Sequence, residues 1–365
     1  MQSVGSGAHV VVASGFSRKW VSDVAGLLVV LALCVTVACG SPPATAGGSL
    51  VERSRVTMGS PLRLTAWTAD ESAAVKAFDA VFAEVDRLDR LMTVWRDDSD
   101  VQRLNAFAGH IPVPVSEETF EVLQIASDIG ELSGGNFDIT FAALADVWKF
   151  DHDIDGRVPS RADIAARLPL VDYRALVLDA PVLTAFLKRP GMRVNLGGIG
   201  KGYAVDRAAT VLRAHGFEQF MIQFGGDLYS SGRRGDRPWR IGLQDPRGAA
   251  DQSFAAIDLH DETFSTSGDY ERFFMRDGRR YHHILDPHTG EPARGARSVT
   301  IVARRAVLAD AIAKAVFVAG PEAGMKLIED LPDVEGVIVT ARNEVRVSSG
   351  LTRRVMVLAP PTDAP

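Results

Sequence analysis

The stretch "RVNLGGIGKGYAVDRAATVLRAHGF", Arg193 to Phe217, sets four glycines and a lysine in six positions between an apolar strand-like run and a helix-like run ending at His215 and Gly216. Gly197, Gly198, Gly200 and Gly202 let the backbone approach a ligand closely. The helix that follows would point free N–H groups and the positive end of its dipole at an anion. The spacing matches neither common phosphate motif. A P-loop needs Ser or Thr after its Gly-Lys pair, where this chain has Gly202, and the dinucleotide fingerprint spaces its glycines differently. The fold class therefore has to come from the order of elements around the turn.

Upstream, alternation of apolar and polar residues from Arg55 to Ala69 predicts two short strands around Gly59, Ser60 and Pro61. Val75, Phe78, Phe82, Val85, Leu88 and Met92 then recur every three or four residues, the stripe of a half-buried helix. Ser116 with Glu117 and Glu118 opens a second helix, with the stripe Phe120, Leu123, Ile129 and Leu132 and a stop at Gly134 and Gly135. "FDITFAALADVWKF" reads as a short helix carrying aromatic residues, and Ala175–Phe186 and Met192–Leu196 read as strands. Downstream, "FMIQFGGDLYSSG", "WRIGLQ", "SFAAIDL", "YHHILD" and "SVTIVA" are strand-like. One long helix, "AVLADAIAKAVFVAG", interrupts them, and "GVIVTARNEVRVSSGL" closes as a hairpin. Strands and helices that do not alternate strictly predict a single mixed α/β domain of the α+β class over residues 53–360, not a doubly wound parallel sheet.

With 365 residues, 46% hydrophobic, the chain has ample material for a core, and a net charge of -6 gives no basic footprint, which excludes nucleic acid as the main partner. Both cysteines, Cys34 and Cys39, sit in or just after "VAGLLVVLALCVTVAC", an apolar run preceded by Arg18 and Lys19. Basic residues, an apolar core and then small residues form an export signal over residues 1–39, with Cys39 as a lipobox cysteine acylated at the start of the mature protein. Residues 40–52, rich in Pro, Gly, Ala and Ser, form a flexible tether. Thr36 stands where such sites prefer leucine, which leaves a simple cleaved signal or an uncleaved anchor as alternatives. In each case the expectation is a folded part outside the cytoplasm, beside the membrane and, through Cys39, lipid-anchored to it.

The strings "MGSPL", "RLDRLMTVWRDDSDVQRLN", "GGNFDIT", "VNLGGIGKGYAVD", "QFGGDLYSSG", "STSGDYERFF", "YHHILDPHTGEP", "SVTIVA" and "LADAIAKAVFVAG" occur in this order between about residue 55 and residue 330. In sequence and spacing they resemble the ApbE-like flavin transferase family. The resemblance implies an extracytoplasmic enzyme that binds FAD, uses Mg2+, and transfers FMN to a threonine or serine hydroxyl of an acceptor protein, releasing AMP. It implies flavin-nucleotide contacts at Met58, Trp95, Asn136, Phe137, Asp138, Asn195, Lys201, His283 and Ser298. It also implies a metal at Asp310, Ala313 and Gly198, the last through its carbonyl.

The residue types suit that chemistry. Breaking a pyrophosphate needs its charge neutralised, a hydroxyl in line and a proton acceptor. Asp310 is a hard oxygen ligand of the kind magnesium prefers. His283 is the leading acid/base candidate, because imidazole titrates near working pH. Other readings run beside these: a structural strand histidine at His283, a helix-capping turn at Phe137 and Asp138, a core indole at Trp95, a bulge at Gly225 to Asp227, and a plain polar turn in "STSGDY".

Two positions depart from the family pattern: Asn195 replaces an aspartate, and Lys314 replaces a threonine that would join the metal shell. Four residues after Asp310 on one helix face, Lys314 either forms an ordinary salt bridge, repels the cation, or takes its place as a catalytic positive charge beside the pyrophosphate. Two functions follow: a flavin transferase with altered metal dependence, or a non-catalytic or hydrolytic FAD-binding lipoprotein.

Overall fold

The computed structural model describes residues 47–151 and 153–364. The expected export signal, Cys39 and the first part of the tether lie outside these residues. Strand β1 (Ser49–Thr57) pairs with β2 (Ser60–Thr68) along its whole length, from Ser49↔Thr68 to Thr57↔Ser60. Residues 49–52, assigned to the tether from composition, are therefore part of the sheet, because nine consecutive residues find ladder partners. The connecting turn has only Met58 and Gly59, at φ 44° and 70°. Two positive φ values are those of a type I′ hairpin turn.

The helices start where the sequence places cap residues. Asp70 caps α1 (Glu71–Met92), Ser99 caps α2 (Asp100–Ala106), and Ser116 caps α3 (Glu117–Leu132), each side chain accepting a first-turn N–H. A small sheet of β3 (Val113–Pro114), β4 (Leu176–Asp179) and β5 (Thr184–Leu187) lies beside them, with α4 (Arg161–Arg167) in the intervening chain. The glycine turn leads into α5 (Gly200–Ala214), followed by the hairpin β6 (Phe220–Phe224) and β7 (Asp227–Ser231). Next come β8 (Trp239–Gln244), β9 (Ser253–Leu259), β10 (Glu262–Gly268), β11 (Phe273–Arg276), β12 (Arg279–His282) and β13 (Ala296–Ala303). The chain finishes with α6 (Ala306–Asp330), β14 (Glu335–Thr340), β15 (Val345–Val347) and β16 (Met356–Val357).

Eight strands make the main sheet, in the order β1-β2-β6-β7-β10-β13-β14-β15, every pair antiparallel. One face carries Leu62, Leu64, Phe220, Ile222, Phe224, Val299, Ile301 and Ile338, packed in one core with the buried sides of α1, α5 and α6. The other face carries Leu228, Phe264, Val302, Val337 and Val339, packed with Leu243, Phe254, Ile257 and Leu259 of the small sheet β16-β9-β8. A sheet covered on both faces explains why all eight residues of β13 are buried. The fold is thus a mixed α/β domain of three layers, as the element order predicts.

Several local readings change. Met192–Leu196 forms no strand; the Asn195 N–H donates to the Ile139 carbonyl instead. The short helix expected in "FDITFAALADVWKF" is present as a 3₁₀ helix over Ile139–Leu144. "STSGDY" belongs in part to β10, a central strand in which Thr266 pairs with Thr300 and Ser265 with Asp227 inside the sheet, while the buried Ser267 hydroxyl has no hydrogen-bond partner among the described residues. The last long helix runs past Gly320, whose φ of 79° breaks it. Pro321, suited to a first helical turn, restarts it.

Candidate functional site

The missing hydroxyl at position 202 has a steric cause. A Cβ on Gly202 would lie 2.3 Å from the Ala306 carbonyl oxygen and 2.7 Å from the Asp310 Cβ, so α6 crosses directly on the first turn of α5. The Gly202 N–H donates to Asp310 Oδ2 at 2.9 Å. Other amides of the turn are also engaged: Gly197 donates to Asn195 Oδ1 at 2.7 Å, and Ile199 and Gly200 both donate to the Leu196 carbonyl. The positive end of α5 therefore already faces a carboxylate from its own chain. Asn195 shapes the turn, which is a different use of the side chain from lining a nucleotide.

Asp310 is completely buried, and its second oxygen, Oδ1, accepts a hydrogen bond from Lys314 Nζ one helical turn on. Burial works against the Lys314 ammonium, yet the Asp310 and Asp227 charges and the bond to Asp310 outweigh it and hold its pKa above the ordinary lysine value. The lysine stem flanks the glycine turn: a Cβ built on Gly198 would lie 3.9 Å from Lys314 Cδ and 3.4 Å from a ring carbon of Phe137. Phe137 is buried there, packed against the glycine turn. Lys201, from the same turn, donates to the Gly197 carbonyl at 3.2 Å. Its Cε lies 3.7 Å from where Gly225 would carry a Cβ, and Ser60 Oγ lies 3.5 Å from that point. Three turns thus converge: the one that follows Met58, the β6–β7 turn and the glycine turn.

Asp227, which the sequence places only in a candidate bulge at Gly225 to Asp227, instead pairs with Phe224 across the two-residue β6–β7 turn and sits in this cluster. It is buried and accepts a hydrogen bond from Ser265 Oγ at 2.5 Å. Burial and the nearby Asp310 charge raise its pKa to about 6, against the opposing pull of Lys314 and Lys201. The signal in the sequence is an acid directly after two glycines at the start of a strand.

The two histidines have separate roles. His282, the last residue of β12, is locked: Nε2 donates to the Ala293 carbonyl at 2.8 Å, Nδ1 accepts from the Ile284 N–H, and the ring meets Phe317 edge-on. His283 lies just past the strand, so "YHHILD" is a strand only at Tyr281 and His282. Its backbone N–H donates to the Arg272 carbonyl, while its enclosed Nδ1 has no hydrogen-bond partner. Burial, then the positive charges of Arg272, Lys201 and Lys314 with His282, push its pKa well below the usual imidazole range. A neutral ring with an unused nitrogen is a proton acceptor in waiting.

The remaining candidates divide. Asp138 is spent on structure, accepting from the N–H and hydroxyl of Thr140 and from the Tyr173 N–H, which is its capping reading. Asn136 Nδ2 donates to the Ser133 carbonyl in the turn after α3. Trp95 is 68% exposed beyond the end of α1, so it is no core indole. Met58 is half-buried against the core, and Ser298 is buried on β13 opposite Gly268.

A divalent metal at Asp310 does not fit this arrangement. Both carboxylate oxygens are engaged, one of them by an ammonium, and Ala313 lies inside α6, where a carbonyl serves the helical ladder. Among the described residues no group of three or more His, Cys, Asp or Glu could hold a metal ion. Of the expected ligands Gly198, Asp310 and Ala313, only Asp310 offers a side-chain oxygen, and Lys314 holds its Oδ1.

Residues 58–338 match the ApbE family. The chain belongs to that family. It is 33% identical over 342 residues to the FAD:protein FMN transferase of Treponema pallidum, covering 89% of this chain and 94% of the relative. To an enzyme of the same name from Klebsiella pneumoniae it is 34% identical over 297 residues, 81% of this chain and 91% of the relative. Among solved structures, the ApbE protein of Thermotoga maritima superposes with a TM-score of 0.78 at 33% identity, covering 84% of this chain and 99% of that one. The flavin transferase ApbE of Vibrio cholerae gives 0.75 at 27%, with the same coverage.

Proposed function

We propose that the protein transfers FMN from FAD to a threonine or serine hydroxyl of an acceptor protein and releases AMP, acting outside the cytoplasm from a lipid anchor at Cys39. Membership of the ApbE family and relatives named FAD:protein FMN transferase support a flavin transferase. The observation that carries the chemistry is His283, a neutral imidazole with an unpartnered nitrogen in a cluster that also holds Lys201 and Lys314.

In this reading the acceptor hydroxyl gives its proton to His283 as its oxygen bonds to the phosphorus on the flavin side of FAD. The bond from that phosphorus to the bridging oxygen breaks, and AMP leaves with the oxygen. Lys201 and Lys314 offset the negative charge of the pyrophosphate, which is greatest as the bond breaks. The glycine turn and Phe137 would line the nucleotide's path. Export and acylation rest on the sequence pattern of residues 1–39.

The test compares membranes from cells with and without this gene for protein-bound flavin fluorescence in denaturing gels. A fluorescent band lost on deletion and restored by the wild type, but not by His283→Ala, is the expected result. Unchanged bands, with FAD hydrolysed to FMN and AMP by the purified protein, would favour the hydrolytic alternative.

A further inference from the structure

The site buries two carboxylates, Asp310 and Asp227, and the cation that answers them is the protein's own. Buried carboxylates are costly unless a positive charge and hydrogen bonds compensate them. Beside a phosphate-binding turn, a divalent ion commonly does this, drawing its oxygens into an octahedral shell. Here Gly202 and Lys314 have taken both oxygens of Asp310. An exposed pair at this helical spacing would be a minor surface contact. This pair is different in kind: Asp310 has no exposed surface, and Lys314 lies along Gly198 in the turn itself.

We infer that Lys314 is a built-in replacement for a divalent cation: it keeps metal off Asp310 and presents a fixed positive charge to the pyrophosphate, so that FAD is held without Mg2+. An ammonium has three N–H donors, and Asp310 uses one, so the charge can serve a phosphate oxygen as well. Lysine acts as a compact point charge in phosphate sites elsewhere and needs no metal shell to do so. The identity of the anion rests on the flavin reading above; the exclusion of metal does not.

Two measurements test this. In the first, Mn2+ binding is followed by electron paramagnetic resonance without flavin. Wild type should bind none at this site, and Lys314→Thr should gain one ion that the added change Asp310→Asn removes. A wild-type ion removed by Asp310→Asn overturns the inference, as does a folded Lys314→Thr that gains no ion. In the second, FAD binding is followed by quenching of flavin fluorescence in EDTA and in Mg2+. Wild-type affinity should be the same in both, whereas Lys314→Thr should lose about tenfold in EDTA, the size of one charge-assisted contact, and recover with Mg2+. A wild-type affinity that collapses in EDTA overturns the inference. Lys314→Met keeps the stem without the charge and should bind FAD weakly in either condition; equal affinity to wild type in EDTA would show that the ammonium does not meet the anion. If no form binds FAD at all, the flavin reading fails while the Mn2+ experiment still decides the metal question.

Discussion

The carboxylate of Asp310 accepts the backbone N–H of Gly202, tying the first turn of α5 to the first turns of α6 across 108 residues of sequence. This contact requires the absence of a side chain at position 202, since α6 occupies the space a Cβ would need. Gly202 is ordinarily a poor helix residue, and alanine would be favoured there by about 1 kcal/mol on propensity alone.

Gly202→Ala therefore sets propensity against packing. The neighbour at 2.3 Å is backbone, which cannot swing aside. Overpacking of this sort costs roughly 1–3 kcal/mol or more, so the variant should be destabilised in urea and lose FAD affinity as the glycine turn shifts. A more stable Gly202→Ala would mean that α5 and α6 are further apart than described here.

His283→Ala should lower FMN transfer by roughly 10²- to 10⁴-fold, the usual contribution of a general base, with little change in melting temperature. His282→Ala should do the reverse: it leaves the Ala293 carbonyl and the Ile284 N–H without their partner, at about 1–3 kcal/mol of stability. Comparing kcat and thermal midpoint for both variants separates the two. An inactive but stable His282→Ala would exchange the roles.

The fold was legible where periodicity was strong. The stripe from Val75 to Met92 and the cap at Ser116 give α1 and α3 directly. β10 was not legible, because Ser265 and Thr266 look like turn residues until Asp227 and Thr300 stand beside them. The same holds for the site. His283 could be named from its residue type and family string, but Asp227 gains meaning only when β7, β10 and α6 bring it near Lys314 and Asp310. Lys314 was visible as a departure from the family pattern. The spacing of four already offered its salt bridge to Asp310; that this pair is buried beside the glycine turn is a fact of tertiary packing that spacing does not encode.

Cys39→Ser should release the protein from membranes or stall its processing, since stable anchoring takes more than one acyl chain. Metabolic labelling with a palmitate analogue, followed by fractionation, checks this. A wild type that is unlabelled and fully soluble would show that Thr36 spoils the lipobox.

Part of the acid sensitivity comes from His282. Burial, with Arg280 and Arg247 nearby, lowers its pKa against the smaller opposing effects of the Ala293 carbonyl and Asp269. The unfolded chain, with an ordinary imidazole near about 6.5, then binds more protons than the folded one once the pH falls below that value. Stability from keeping this ring neutral is complete above that pH and is lost as the pH falls toward the folded-state pKa, by at most about 1.4 kcal/mol per pH unit. Asp227, raised to about 6, acts in the opposite direction, because its folded state takes up a proton earlier than the unfolded one. The wild-type curve alone therefore mixes these with the contribution of His283, whose lowered pKa acts in the same direction as that of His282. His282→Gln removes one contribution and leaves the others, so the stability difference between wild type and variant should shrink steadily from pH 7 to pH 5 in urea titrations. A difference that stays constant over that range would mean His282 titrates alike in the folded and unfolded chains.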